Sequence, residues 1–202
     1  MNYLLAIGLG YLLGCSNMAY YIAKMKKVDF RAAGSGNLGA SNAAMLLGWG
    51  AGILVAVHDA AKAMLAVLLA ELLFHGMPYA GVAAGVASVL GHIFPFYLKF
   101  KGGKGFASYI GMIIGLNWKF ALVILVLAVL ITVLSDYIVM ATTTTVVASP
   151  IYFFFQGWPM ALIMLIATAV ILYKHRENFV RIYRGTEFGL RSTIRGENRV
   201  KK

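Results

Sequence analysis

Long apolar segments constrain this chain more than any other feature, because they decide the solvent in which it folds. A helix needs roughly 20 apolar residues to cross a bilayer, and seven segments match or approach that length. They lie at residues 3–23, 52–74, 79–98, 105–117, 119–135, 137–156 and 158–174. Only 12% of the residues are charged and 61% are hydrophobic, which is unlike a globular domain. We therefore predict an all-α integral membrane protein with seven transmembrane helices.

The basic residues indicate how these helices are oriented. Sixteen of the eighteen Lys and Arg residues fall on one side of the predicted membrane, only Lys119 falls on the other, and Lys62 lies within a span. Under the positive-inside rule, the basic side is the cytoplasm. The N-terminus is then outside and the C-terminus inside, and a single membrane domain covers 1–202 with a short basic tail at 188–202.

The net charge of +11 does not by itself indicate a nucleic-acid partner. Membrane insertion already requires basic cytoplasmic loops, and anionic lipid head groups or phosphorylated substrates fit the same charges. Cys15 is the single cysteine, so an internal disulfide is excluded. The seven acidic residues are scattered along the chain, and we therefore expect no metal site and no cofactor.

The first polar cluster is GSGNLGASN, residues 34–42. It contains the G-x-G-x-x-G pattern, but a long apolar segment precedes it where a dinucleotide-binding fold has a short strand. Glycines at 34, 36 and 39 predict backbone N–H groups turned toward a phosphate, and a helix beginning near Ala40 would add its dipole. Four side chains add hydrogen-bond donors: Ser35, Asn37, Ser41 and Asn42. A capped turn, or close helix packing through small residues, is the alternative.

The second cluster is GHIFPFYLKFKGGKG, residues 91–105. Lys104 stands between glycines and is the best candidate here for a ligand contact, whereas Lys99 and Lys101 are assigned to the membrane interface. A Walker A loop is excluded because Gly105 follows the lysine where Ser or Thr is needed. His92 lies deeper in the third span and is either a buried hydrogen-bonding residue or a functional one.

The third cluster is YKHRENFVRIYRGTE, residues 173–187. His175 and Asn178 are three residues apart and share a helix face, while Arg176 and Glu177 face elsewhere. The following arginines, at 181 and 184, are assigned to lipid head groups. All three clusters fall on the predicted cytoplasmic side, which favours one shared site.

Two ionisable residues lie inside the second span. Asp59 and Lys62 are three residues apart, and charges within a membrane are costly unless they are paired or face a polar cavity. The spacing therefore predicts either a structural ion pair or a role at the site.

In this order and spacing, the three clusters resemble the motifs of the bacterial acyl-phosphate:glycerol-3-phosphate acyltransferases, the PlsY family, over nearly the whole chain. The resemblance implies a multi-pass protein of the bacterial inner membrane with its active site on the cytoplasmic face. It implies acyl transfer from acyl phosphate to the 1-hydroxyl of glycerol 3-phosphate, with lysophosphatidic acid and phosphate as products. Acyl phosphate is already activated, so positioning and charge compensation suffice without a covalent nucleophile. A monomer is compatible with this chemistry.

The resemblance also assigns individual residues. The implied catalytic residues are Ser35, His92, Lys104, His175 and Asn178. The implied substrate-binding residues are Gly34, Gly36, Asn37, Gly39, Ser41, Asn42, Gly102, Gly103 and Glu187. The fatty acyl chain is expected in an apolar groove between the spans.

Four positions depart from the family pattern. Met45 replaces an arginine, Asp136 and Val139 replace a basic residue and a serine, and Ala63 replaces a glycine. The loss of one cation and the gain of one anion weaken the electrostatic argument for phosphate binding, so a divergent enzyme of low activity is one alternative.

A transporter or flippase for an organic phosphate or lipid is a second alternative, although the chain lacks the internal repeats expected of a transporter.

Overall fold

The structure is a computed structural model that describes residues 2–195. Over that range the regular elements are all helical, and the predicted all-α class is confirmed. The α-helices are α1 (Asn2–Cys15), α2 (Met18–Lys26), α3 (Ala40–Leu47), α4 (Trp49–Leu73), α5 (Ala80–Ile93), α6 (Phe106–Leu116), α7 (Trp118–Ser135), α8 (Ile138–Phe154), α9 (Trp158–Tyr183) and α10 (Leu190–Ile194). A single 3-10 turn, Phe96–Leu98, follows α5. The predicted helix start near Ala40 is confirmed, whereas the basic residues at 199, 201 and 202 lie outside the described residues.

The exterior of the helical bundle is apolar. Five segments are long and apolar enough to cross a membrane: Asn2–Lys26, Trp49–Leu73, Ala80–Leu98, Trp118–Ser135 and Trp158–Tyr183. Along α7, large aliphatic side chains project outward, and Leu134 is 80% exposed. Exposed apolar surface of this extent marks contact with lipid, so the fold is that of an all-helical integral membrane protein.

Two of the predicted spans are occupied by shorter apolar helices. α6 has 11 residues and α8 has 17. Tyr109, Met112 and Ile113 of α6 are completely buried and pack in the main hydrophobic core with residues of α4, α5, α8 and α9. The short α6 is therefore surrounded largely by protein rather than by lipid.

The first predicted span, 3–23, is not one continuous helix. The helix is interrupted at Ser16 and Asn17. The Asn17 side chain caps α2 there by accepting a hydrogen bond from the backbone N–H of Tyr20 at 2.9 Å. The break frees the carbonyl of Ser16, which accepts a hydrogen bond from Lys62 Nζ at 2.5 Å. A local interruption of the first span thus provides a partner for a lysine buried in the next.

Small residues bring α1 and α5 into close contact. A Cβ atom added at Gly14 would lie 2.0 Å from the carbonyl oxygen of Ser88, so these backbones touch where only glycine fits. At the end of α5, Tyr11 Oη donates to the carbonyl of Phe94 at 2.8 Å. These contacts hold the last turn of α5, and with it His92, in a defined place.

Candidate active site

The three polar clusters line one cavity of about 430 Å³. It lies where the 34–42 loop, the ends of α5 and α9, and the 99–105 loop meet. Its polar side chains and its two loop glycines come from all three clusters, from α4 and from α8: Ser35, Asn37, Gly39, Ser41, Asp59, His92, Lys104, Gly105, Thr142, His175, Asn178 and Glu187. The prediction that the clusters share one site is confirmed, while the chemical role of each residue stays a prediction.

Asn42 supports the first loop instead of facing the cavity. Its side chain is only 1% exposed. Its Oδ1 accepts the N–H of Ser35 at 2.8 Å, and its Nδ2 donates to the carbonyls of Phe30 at 2.8 Å and Asn37 at 3.0 Å. The assignment of Asn42 to substrate binding is therefore corrected, because the amide is occupied in shaping the loop.

Two backbone N–H groups of this loop are also occupied. The N–H of Ser35 is held by Asn42, and that of Gly36 donates to the carbonyl of Ala33 at 3.1 Å. The prediction that successive N–H groups turn toward a phosphate is wrong for these two; Gly34 and Gly36 serve to turn the chain, with φ of 60° and 68°. The first turn of α3 does face the cavity, and its N–H groups and dipole favour an anion.

The second loop folds back along the end of α5. The N–H of Gly102 donates to Ile93 at 3.0 Å and that of Gly103 to the carbonyl of His92 at 3.1 Å. A Cβ at Gly103 would lie 2.1 Å from His92 Nε2. Neither glycine lines the cavity and both N–H groups are occupied; their assignment to substrate binding stays a prediction. They let the loop pack on His92 and carry Lys104 to the cavity.

Lys62 is the centre of a buried polar network. Its ammonium donates to Asp59 Oδ1 at 2.9 Å, to the carbonyl of Ser16 at 2.5 Å and to His92 Nδ1 at 2.9 Å. These three bonds use all three donors of the ammonium group. The predicted ion pair between Asp59 and Lys62 forms, and Asp59 lines the cavity as well. The pair therefore serves structure and also borders the site.

The two histidines of the cavity wall have opposite hydrogen-bonding character. His92 Nδ1 lies 2.9 Å from Lys62 Nζ and 3.4 Å from Asp59 Oδ1. When Lys62 is charged, its ammonium only donates, so His92 Nδ1 accepts from it and the proton of the neutral ring lies on Nε2. A carbonyl only accepts, so His175 Nδ1 donates to Ile171 at 2.9 Å and Nε2 keeps its lone pair. The cavity wall thus combines one imidazole donor with one imidazole acceptor.

A polar chain joins the second loop to the C-terminal segment. Lys104 Nζ donates to Asn178 Oδ1, and Asn178 Nδ2 donates to Glu187 Oε1 at 2.6 Å. The other oxygen of Glu187 accepts from Arg181 Nε at 2.6 Å. The prediction that Arg181 contacts lipid head groups is corrected, because its guanidinium pairs with Glu187. Its spacing of three residues from Asn178 on one helix was the signal for this contact.

Lys104 is electrostatically unusual. Burial first, and then the nearby charge of Arg181, lower the pKa of Lys104, and with the opposing effect of Glu187 the pKa is about 8. A partly desolvated lysine with no carboxylate directly bonded to it gains by binding an anion. Lys104 is therefore the residue of the wall best suited to a phosphate.

The departures from the family pattern lie in different places. Met45 is buried and lines the cavity where an arginine was expected. Asp136 does not line it; its Oδ1 accepts the backbone N–H of Arg191 at 2.8 Å. The expectation that Asp136 adds an anion to the phosphate site is therefore corrected. Val139 is buried, and Ala63 is buried in the main hydrophobic core.

A second, apolar cavity of about 230 Å³ adjoins the first. Six residues line both cavities: Ala40, Ser41, Met45, Ala56, Ile138 and Phe188. Beyond them the apolar cavity is bounded by Trp49, Ile53, Thr132, Leu190 and Thr193. Within residues 2–195, no group of three or more His, Cys, Asp or Glu side chains is placed to hold a metal ion.

Comparison with known proteins identifies the family. Residues 4–185 match the model of the glycerol-3-phosphate acyltransferase family. A glycerol-3-phosphate acyltransferase of Coxiella burnetii (strain CbuG_Q212) is 40% identical and covers 93% of this chain and 97% of its own. The corresponding protein of Lactiplantibacillus plantarum is 35% identical and covers 94% and 95%.

Solved structures agree with this match. The crystal structure of PlsY, an integral membrane glycerol 3-phosphate acyltransferase, in its glycerol 3-phosphate form has a TM-score of 0.87 and 33% identity, and covers 95% of this chain and 97% of its own. Its lysophosphatidic acid form has a TM-score of 0.83 and 32% identity, and covers 94% and 95%. This chain therefore belongs to the PlsY family of integral membrane glycerol-3-phosphate acyltransferases.

Proposed function

We propose that this protein transfers a fatty acyl group from an acyl phosphate to the 1-hydroxyl of glycerol 3-phosphate, giving lysophosphatidic acid and inorganic phosphate. One observation carries the proposal: the cavity that contains Lys104 and the other polar side chains, here called the polar cavity, shares wall residues with the apolar cavity beside it, and its lysine is suited to a phosphate. A phosphate and a hydrocarbon chain fit side by side in such a pair. The PlsY neighbours described in glycerol 3-phosphate and lysophosphatidic acid forms support the same substrate class.

In this proposal, the polar wall holds the phosphates and brings the reacting groups together. Lys104, Asn178 and the first turn of α3 neutralise phosphate charge, and the N–H of His92 donates to an oxygen of the acyl phosphate. The 1-hydroxyl oxygen attacks the acyl carbon, the bond from that carbon to the phosphate oxygen breaks, and the phosphate leaves with the electron pair. The hydroxyl proton passes to the leaving phosphate. His175 Nε2 accepts a hydrogen bond from the glycerol.

The acyl chain is assigned to the apolar cavity beside Met45. An arginine at this position would have placed a charge where the two cavities join. Methionine instead extends the apolar surface and adapts to a flexible chain. The substitution removes one phosphate contact and leaves Lys104 as the main cation of the described cavity wall.

The choice of donor tests the proposal. Purified protein is incubated with radiolabelled glycerol 3-phosphate and, in separate reactions, palmitoyl phosphate, palmitoyl-CoA or palmitoyl-acyl carrier protein, each with EDTA. Labelled lysophosphatidic acid is expected with palmitoyl phosphate alone. Product from either thioester at a comparable rate, or loss of activity with EDTA and its return with magnesium, would contradict the proposal.

We further propose seven membrane crossings, with the cavity open to the cytoplasm of a bacterial inner membrane. The loop that carries Lys104 precedes the short α6, and irregular backbone at membrane depth is tolerated where it lines a cavity. Sixteen of the eighteen basic residues share the cavity side under this topology.

Cysteine labelling tests this topology in a Cys15→Ala background. Met25 and Tyr183 are 79% and 93% exposed on the proposed cytoplasmic side, and Trp118 is 64% exposed on the other. In intact spheroplasts, a membrane-impermeant thiol reagent is expected to label Trp118→Cys only. Met25→Cys and Tyr183→Cys are expected to react after permeabilisation. Labelling of either cysteine in intact spheroplasts would contradict the proposal that the three polar clusters lie on the cytoplasmic face.

The lowered pKa of Lys104 predicts a dependence on pH. Lys104 is charged below its pKa of about 8 and loses the charge as pH rises through that value. Free enzyme therefore binds glycerol 3-phosphate less well, and kcat/KM for this substrate is expected to fall up to about tenfold per pH unit above the pKa. Bound phosphate raises the pKa of Lys104, so kcat is expected to persist to higher pH. A kcat/KM that stays level across this range would contradict the role of Lys104.

A further inference from the structure

The C-terminal segment crosses both cavities. We define the C-terminal strap as residues 187–194, which include α10. Its Glu187 and Phe188 line the polar cavity, and four of its members line the apolar one: Phe188, Gly189, Leu190 and Thr193. The position of the strap therefore sets the shape of the space in which both substrates are proposed to bind.

Asp136 holds the strap from the end of α7. Its Oδ1 accepts the backbone N–H of Arg191 at 2.8 Å, and its own carbonyl accepts the N–H of Leu190 at 2.8 Å. The first of these bonds joins residues 55 positions apart in the sequence. A carboxylate that accepts a backbone N–H forms a stronger bond than a neutral acceptor does. A basic residue, which the family pattern has here, could not accept this bond through its side chain.

Gly189 makes the close approach possible. A Cβ atom at this position would lie 2.1 Å from Asp136 Oδ2, so the strap meets the carboxylate where a side chain would collide. The first residue of the strap, Glu187, accepts from both Asn178 and Arg181 at 2.6 Å. The strap is thus bonded at its start and again at its middle, and Phe188 between these bonds lines both cavities.

We propose that Asp136 is a positioning residue that docks the C-terminal strap, and that it thereby places Glu187 beside Asn178 and Phe188 between the two cavities. The effect on substrates rests on the proposed function; the docking itself does not. Asp136 replaces the usual basic residue with a bond to the protein's own backbone. The departure from the family pattern is then a compensating feature and no sign of lost activity.

Docking is tested by thiol labelling without any need for activity. Thr193, which lines the apolar cavity, is replaced by cysteine in a Cys15→Ala background. The rate at which a soluble thiol reagent labels this cysteine is then measured in detergent. Asp136→Ala is expected to raise the rate about tenfold, as the loss of one charge-assisted bond implies. Asp136→Asn keeps an acceptor oxygen and is expected to stay near the unsubstituted rate. Equal rates for all three proteins would overturn the docking role.

Kinetics test the consequence for substrate. A strap that is docked less often lowers the fraction of binding-competent enzyme, so Asp136→Ala is expected to raise the KM for glycerol 3-phosphate about tenfold and change kcat less than about twofold. Asp136→Asn is expected to restore most of the KM. A merely structural role would lower the amount of active enzyme and so reduce kcat at unchanged KM, which would overturn the positioning role. Wild-type protein without transferase activity would refute the proposed function and leave the labelling result standing.

A double-mutant cycle isolates the contact between the strap and Asp136. Gly189→Ala is expected to raise both the labelling rate and the KM when Asp136 is present, because the new Cβ meets the carboxylate. In the Asp136→Ala background the same substitution is expected to add little, since the colliding atoms are gone. Additive effects of the two substitutions would show that Gly189 and Asp136 act separately and would overturn the proposed contact.

Discussion

Replacing Lys104 by alanine is expected to reduce acyl transfer about a hundredfold to several thousandfold. Lys104 is the partly buried cation of the cavity wall, bonded to Asn178, and its pKa of about 8 reflects desolvation that a bound phosphate would relieve. Removing one side of a desolvated charge pair typically costs about 3–5 kcal/mol, and each 1.36 kcal/mol is about tenfold in rate. Steady-state transfer from palmitoyl phosphate by folded, detergent-purified protein measures the effect.

Two further variants distinguish a specific phosphate contact by Lys104 from a general effect of positive charge in the loop. Lys104→Arg is expected to recover little, because a planar guanidinium does not reproduce the single short contact of an ammonium with Asn178. Lys101→Ala removes an exposed lysine from the same loop and is expected to be mild. If all three variants had equal and small effects, the loop lysines would serve topology alone and the site assignment would fail.

Replacing Asp59 by leucine is expected to have the largest effect on stability. Asp59 is 2% exposed and is the carboxylate that pairs with Lys62 inside the membrane domain. Its loss leaves a buried ammonium without its counter-charge, which typically costs about 3–5 kcal/mol. A lower thermal unfolding temperature in detergent is the expected result. Activity is also expected to fall, because Lys62 orients His92.

Replacing Lys62, the ion-pair partner of Asp59, as well provides the matched control. In Asp59→Leu/Lys62→Met both charges are removed, and much of the lost stability is expected to return. Glu71→Leu makes a comparable change at an exposed carboxylate on the same helix and is expected to alter stability little. If the double variant were less stable than Asp59→Leu, or if Glu71→Leu were equally damaging, the buried pair would not be the cause.

Much of the site could be predicted because its residues are consecutive in short polar clusters. The spacing of His175 and Asn178 is enough to place both on one helix face, and glycines on both sides of Lys104 mark the loop that carries it. The approximate span limits were predicted from apolar length together with the family resemblance. The distribution of basic residues predicted one membrane face for the three clusters, and the structure brings them to one cavity.

Other features could not be predicted because they depend on tertiary contacts. The side-chain amide of Asn42 is of a type that often binds ligands. Only the folded loop shows that this amide is already hydrogen-bonded to the backbone of Ser35, Phe30 and Asn37. The break at Asn17 lies within an apolar segment whose hydropathy does not reveal it.

Asp136 was misplaced for the same reason. Its place in a family motif suggested the phosphate site, whereas its partner, Arg191, lies 55 residues away in the strap. Contacts between residues so distant in sequence leave no local pattern.

Direct transfer between two bound substrates is the central claim, and a single quenched reaction tests it most directly. Protein is mixed with palmitoyl phosphate labelled in the acyl chain, first without glycerol 3-phosphate and then with it, and protein-bound label and free phosphate are measured after acid quenching. We expect no acylated protein and no phosphate release until glycerol 3-phosphate is added, and then one lysophosphatidic acid for each phosphate. Acyl label on Ser35, with a burst of phosphate before the acceptor is added, would contradict direct transfer.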